Sequence, residues 1–190
     1  MEFRTDRLGV LLEQLEESWT FSKQRLEGLS DAEYRWEPAD GMWSIRPAGA
    51  APSPDAFGPG AYVLDRDRSL DPFAPGPVST IAWRLGHLTS AFAGRWEWTW
   101  GGRATEPEDM VDFSPTAGGA AQLLGDWVGR WLEDAVSLTD EQLEVPGFGQ
   151  YPHGLDPQLP FIGILWWQNR EFIHHMAEVA VLRDLYRVLD

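Results

Sequence analysis

The stretch Phe161–Leu189, FIGILWWQNREFIHHMAEVAVLRDLYRVL, constrains the fold more than any other. It holds no proline and a single glycine, Gly163. Phe161, Leu165, Phe172, Val179, Leu182 and Tyr186 recur at helical spacing, and strong helix formers fill most of the remainder. The stretch predicts one long helix with a face in a core. Glu171 and His175 stand four residues apart on it. Positions i and i+4 lie on one side of a helix, about 6 Å apart along the axis. A carboxylate and an imidazole so placed can reach one metal ion together. The same spacing also serves as a plain polar pair on a half-exposed helix, so a third ligand from elsewhere decides between the two. His174 has its own i, i+4 partners in Glu178 and Arg170. It points about 100° away from His175, and Arg170 is a poor neighbour for a cation. Glu171 with His175 is the preferred pair.

Three further helical patterns precede this one. Residues 3–29 carry a stripe of Leu8, Leu11, Leu12, Leu15, Trp19 and Leu26 near the 3.6 period. Ser30 and Glu33 then match a capping-box pattern for one more short turn, which Pro38 stops. Residues 79–100 have Ser79 or Thr80 as N-cap, a core stripe of Ile81, Leu85, Leu88 and Phe92, and Gly101-Gly102 as terminator. His87 lies beside this stripe, with room left by the small Ala91. A lone histidine there reads as a hydrogen-bonded core residue or as a ligand. Residues 116–138 turn Leu123, Leu124, Trp127, Val128, Trp131, Leu132 and Val136 inward, and Thr139 opens another short turn. Four long amphipathic helices predict an all-α four-helix bundle in a single domain spanning 1–190. Bundle cores commonly hold metals between side chains of facing helices. His87, Glu171 and His175 meet that description.

The connections are unusual. Residues 37–78 are rich in Pro, Gly, Asp and Ala, with short extended pieces at 43–46 and 61–64. A connection of this length inside a compact domain generally covers or forms a site. Trp43, Tyr62 and Phe73 are the residues to pin it to the bundle. Residues 139–160 form a second Pro/Gly-rich loop, which carries His153.

Composition narrows the chemistry. The 190 residues include no cysteine, which excludes disulfides, thiolate ligands and a cysteine nucleophile. A thiol reaction would need its thiol from a cofactor or substrate. A metal would be held by His, Asp, Glu or water. The formal net charge of −15 repels polyanions, arguing against nucleic acid and an anionic membrane surface. No apolar run approaches the roughly 20 residues of a membrane span, and no signal peptide is visible at the N-terminus, so a cytoplasmic location is expected. Lys23 is the only lysine among fifteen cationic residues. With many Ala, Gly and Pro, this suggests a bacterial genome rich in G and C.

Three segments, YRWEPADGMWSIRP, TIAWRLGHLTSAFAGR and NREFIHHMAEVAVLRDLY, resemble the DinB/YfiT-like proteins, a family of metalloenzyme-like bundles. The likeness runs over nearly the whole chain, and the HH-centred helix is its most specific part. It implies an up-down-down-up bundle, frequent homodimers, and a divalent metal held by a histidine of the second helix and an i, i+4 pair of the fourth. Those positions here are His87, Glu171 and His175. Many family members have histidine where this chain has Glu171. The His, Glu, His variant is similar to the metal-binding domain of mycothiol-dependent maleylpyruvate isomerase. The resemblance therefore implies zinc first, with nickel, manganese or iron as alternatives. It also implies transfer of a low-molecular-weight thiol, of the mycothiol or bacillithiol type, to an electrophilic small molecule. A metal-dependent hydrolase and a non-catalytic, stress-linked interaction protein are the rival expectations. Trp83 and Trp167, each one turn before a ligand, are candidate pocket walls. Glu178 and His174 are the general-base candidates nearest in sequence, although their face looks wrong for it.

Overall fold

A computed structural model describes residues 4–71, 76–103, 105–146 and 158–189. His153 and Phe73 lie outside the described residues. Helix α1 is Arg7–Leu26, α2 Asp31–Tyr34, α3 Ile81–Trp96, α4 Ala117–Ala135, α5 Asp140–Leu143 and α6 Phe161–Leu189. Two short strands, β1 Ile45–Pro47 and β2 Tyr62–Leu64, lie between α2 and α3.

Side chains cap most of these helices. Asp6 accepts from the Gly9 amide at 2.7 Å, Thr80 from Trp83 at 3.1 Å and Thr116 from Gly119 at 3.2 Å. Thr139 and Gln142 close a full capping box on α5. Ser30 caps α2, but Glu33 does not complete the expected box. Its buried carboxylate takes Arg183 of α6 instead, at 2.6 and 3.2 Å. Helix α1 is shorter than its pattern: Asp6 starts it, and the chain leaves it at Leu26, before Gly28 at φ +69°. Helix α3 widens into a π-turn at Glu97–Gly101 and ends at left-handed Gly102. Helix α6 has the predicted bounds.

The four long helices touch in a ring, α1 on α6, α6 on α3, α3 on α4 and α4 on α1. Contacts also fix their directions. Asn169 of α6 donates to the Leu11 carbonyl, and Arg25 reaches Asp184, so α1 and α6 run the same way. Trp83 meets His175 and Trp100 meets Phe161, so α3 runs against α6. The start of α4 is tied to Asp31 beyond the end of α1, and Gly125 faces Trp19 midway along, so α4 runs against α1. The result is the expected all-α, up-down-down-up arrangement. The centre is aromatic: Phe92 packs edge-on against Trp131 and Phe172 at 6.0 and 6.1 Å, and Trp19 meets Phe172 at 6.1 Å. Leu124, Val128 and Trp131 of α4 are fully buried as expected, whereas Val136 is 58 % exposed. It falls one residue past the end of α4, where the chain turns away.

The proline-rich connection is ordered over its described part and lies on α3. Strands β1 and β2 pair antiparallel in the register Ile45 to Leu64. Trp43 bridges to Ser79 beside the start of α3. Gly86 lets this hairpin approach: a Cβ there would stand 2.9 Å from both Ile45 Cδ1 and Leu64 Cδ1. The fold thus adds a two-stranded ribbon to an otherwise helical chain, directly alongside His87.

Candidate metal centre

His87 comes from α3, and Glu171 and His175 come from α6. The antiparallel run of these helices brings all three together. His175 Nε2 lies 3.5 Å from Glu171 Oε2, and His87 Nε2 lies 3.9 Å from the same oxygen. One ligand atom from each residue falls within 4.8 Å of the others, and this is the one such group of three among the described residues. Metal bonds near 2.1 Å in a tetrahedron separate donor atoms by about 3.4 Å. The observed spacings need only small side-chain adjustment to meet that. Two imidazoles and one carboxylate suit a divalent ion that accepts nitrogen and oxygen donors. The three residues could hold a metal ion.

His175 and Glu171 are each oriented from behind. His175 Nδ1 stands 2.7 Å from Glu178 Oε2. A proton held on Nδ1 by that carboxylate leaves the Nε2 lone pair free for a metal ion on the side where Glu171 stands. Glu178 is anchored in turn by Arg84 Nε at 3.0 Å, and Arg84 also donates to Ser79. Glu178 therefore does belong to the site, three residues after His175, contrary to the face expected for it. The His175–Glu178 spacing carried that signal, but the alternative pairing with His174 obscured it. Arg170 donates to Glu171 Oε1 at 2.8 Å, leaving Oε2 for the histidines. Near the cluster, Arg170 thus acts on the spare oxygen of Glu171.

The proton equilibria match these contacts. Burial pulls the His87 imidazole below its ordinary value, outweighing the Glu171 hydrogen bond. Burial also pulls on His175, but hydrogen bonds to Glu171 and Glu178 overcome it and leave its value raised. Glu171 sits well below the usual carboxylate range, held there first by His175 and then by His87. The lowered value leaves His87 a neutral donor near pH 7, while the raised value of His175 makes protons stronger competitors with a cation there.

Trp83 forms a wall. Its ring stacks on His87 at 4.8 Å with a 6° tilt and meets His175 edge-on at 6.1 Å. The indole N–H donates to the Asp65 carbonyl at 2.8 Å, and Trp43 leans on the other side at 5.6 Å. Asp65 is itself pinned, its carboxylate accepting from the Ser44 amide and Arg46 Nε. The ribbon therefore sets the wall, which is the covering role expected of the long connection. Trp167 is placed differently, under the Arg95 guanidinium at 5.1 Å. The cluster remains open to solvent: the side chains of His87, Glu171 and His175 are 32 %, 16 % and 19 % exposed. His174 is turned away and lines a hollow with Gln14, Trp166 and Arg170.

No helix of the described residues is long and apolar enough to cross a membrane. Neither the curated proteins nor the solved structures give a match to this chain. A family model does match, over residues 56–179, which take in β2, α3, α4 and α6 as far as Val179, and with them all three metal-competent residues. The chain belongs to the DinB superfamily.

Proposed function

We propose that His87, Glu171 and His175 bind a divalent metal, zinc foremost, and that the centre serves transfer of a low-molecular-weight thiol to an electrophilic small molecule. The observation that carries this reading is a three-donor cluster on facing helices that is still reached by solvent. Three protein donors leave a coordination position for a small molecule, the pattern of catalytic sites. A divalent metal bound there supplies Lewis acidity, which lowers the pKa of a thiol or a water. The protein's own residues do the rest. Glu178 and Arg84 fix the His175 ring, Arg170 holds the Glu171 carboxylate, and Trp83 gives a flat wall against which a substrate can lie. With no cysteine in the chain, the thiol is the cofactor's own, of the mycothiol or bacillithiol type. Its sulfur forms a bond to the electrophilic carbon as a π bond at that carbon opens, and the thiol proton ends on the atom that receives the π electrons, so that thiol and electrophile add with nothing left over.

Hydrolysis fits less well. It calls for a general base beside the open position, and Glu178 is already engaged by His175 and Arg84. A resident metal without turnover is favoured by a different observation. Hollows of about 490, 310 and 250 Å³ lie along α1, against α4 and α6, and none of these three is lined by His87, Glu171 or His175. One experiment separates these readings. The untagged chain is purified without chelator, and metal content is measured by elemental mass spectrometry beside His87→Ala. Loss of free thiol is then followed with mycothiol or bacillithiol and a panel of electrophiles. Near one metal per chain with thiol consumption, both lost in His87→Ala, supports the transferase. Metal without consumption of either thiol favours the non-catalytic reading, and no metal overturns the centre itself.

A further inference from the structure

His174 stands outside the triad, but it does not stand alone. Trp166, Arg170 and His174 follow one another at i, i+4 spacing and form one row along α6. With Ile173 and Ala177 of α6 and Gln14 of α1, they line a hollow of about 310 Å³. A second hollow, of about 250 Å³, shares Ile173 and Ala177 and adds Phe21 and Met176. The two are parts of one groove between α1 and α6. These helices run the same way. Gln14 and Arg170 mark one end of the groove, and Phe21 and Ala177 lie one seven-residue step farther on, about 10 Å along each axis.

The two ends differ in chemistry. At the first, the polar groups are donors. Asn169, itself buried, donates to the Leu11 carbonyl at 2.7 Å and to Gln14 Oε1 at 3.0 Å. This turns the NH2 group of Gln14 into the end left for the hollow. Arg170 gives Nη2 to Glu171 Oε1 at 2.8 Å and lies over the Trp166 ring at 5.4 Å, which leaves further guanidinium N–H groups for a ligand. His174 offers a ring N–H in either tautomer. No aspartate or glutamate lines either hollow, although the chain has 30 acidic residues. The larger hollow against α4 is unlike them, since Glu27 and Asp126 line it beside Lys23. At the second end Phe21, Ile173, Met176 and Ala177 give an apolar surface. The polar groups there are turned elsewhere: Ser22 donates to the Ser18 carbonyl at 2.7 Å, and Arg25 is held by Asp184 at 2.8 Å.

We propose that this groove binds a small amphipathic carboxylate. Its anionic head lies among Gln14, Arg170 and His174, and its hydrocarbon chain runs over Ile173 and Ala177 toward Phe21 and Met176. Donors without a neighbouring acid select an anion, and the planar fork of arginine matches a carboxylate. The apolar side chains beyond select an alkyl tail. An extended chain advances about 1.2 Å per bond. The distance between the ends, about 10 Å, therefore suits a saturated acid of about eight carbons. The joined hollows have the concave form and the volume of a small-ligand site. The occupant is the dissolved acid, because the net charge of −15 repels an anionic membrane surface.

The test is titration calorimetry on the full chain stripped of metal, so that a carboxylate on a metal ion is not mistaken for one in the groove. Its outcome is thus independent of the metal centre. Affinity should rise about two- to fourfold per methylene from butanoate to octanoate and level off beyond that length. The neutral 1-octanol, with the same tail, should bind about 10-fold more weakly than octanoate or worse. His174→Glu sets an acid among the donors and should weaken octanoate by about 10-fold or more. Ala177→Phe fills the junction of the two hollows and should bring octanoate down to the affinity of butanoate. Both positions are exposed, so the helical circular dichroism of each variant should match the parent chain. Octanoate that fails to bind at millimolar concentration overturns the proposal. So does octanol that binds as tightly as octanoate, or an octanoate affinity that neither substitution changes.

Discussion

Helix α3 meets two neighbours, and the two seams are built from different materials. Toward α4 it presents Phe92 to Trp131, both fully buried, with Leu124 and Val128 beneath them. Toward the middle of α6, beside the buried Phe92–Phe172 contact, it presents Trp83, Arg84 and His87 to Glu171, His175 and Glu178. The first seam gains from apolar burial at about 25 cal/mol per Å² and specifies the fold. The second places six polar or aromatic groups where apolar ones would pack more simply. Such groups are tolerated only when each is paired, and here nearly every contact ends on His175 or Glu171. Gln168, one turn earlier on α6, is fully buried with no protein partner for its amide, a further local cost of about 1–3 kcal/mol. Apolar packing dominates one seam, and the metal-competent groups gather in the other.

The largest effect that separates the seams is expected from the ligands. His87→Ala or His175→Ala should abolish tight divalent-metal binding, read by calorimetry and elemental analysis, with the metal-free chain still folded. Metal retained at wild-type affinity in both would make the α3–α6 seam a structural polar contact. Trp131→Ala attacks the opposite seam. It should destabilise by about 3–5 kcal/mol in urea unfolding, while the fraction still folded binds metal normally. A matching loss of metal affinity would mean that the seams are not separable.

Smaller changes sharpen the division. Glu178→Gln should lower metal affinity about 10–100-fold by freeing the His175 ring, with little change in the unfolding midpoint. Acidification works through the same contact. The His175 value is raised, so protons compete with metal as the pH drops through it, and affinity should fall there. His87 is lowered and already neutral in that range. In Glu178→Gln the midpoint of this pH profile should move down, because one carboxylate favouring the protonated ring is gone. An unmoved midpoint would remove Glu178 from the relay. His174→Ala, on the outward face, should change metal affinity by less than about twofold; a larger loss would reverse the assignment of faces.

Much of this was legible in the residues. The α6 pattern gave its bounds, because twenty-nine residues without an internal proline leave a helix nothing to break on. The i, i+4 spacing placed Glu171 with His175, and the triad needed only an antiparallel α3 to bring in His87. Local pattern was silent on partners distant in sequence. Glu33 reads as a capping residue, yet Arg183 claims it from 150 positions away. Val136 continues the apolar stripe of α4, but the helix ends at Ala135 and turns it to solvent. Glu178 satisfies two spacings at once, to His174 and to His175, and only the tertiary position of Arg84 selects the second. The extended pieces near Trp43 and Tyr62 were visible, whereas their docking on Gly86 was not, since it depends on a missing side chain in another element.

The order in which the chain is made gives the Trp83 wall a separate significance. The ribbon that holds Trp83 precedes α3, so the wall and His87 can take shape while α6 is still unsynthesised. The other two donors arrive only with that last helix. A nascent chain at that stage offers one histidine of the three donors, too few to hold an ion firmly. On the metal reading proposed above, capture of an ion would follow docking of α6 and report that the whole bundle has closed.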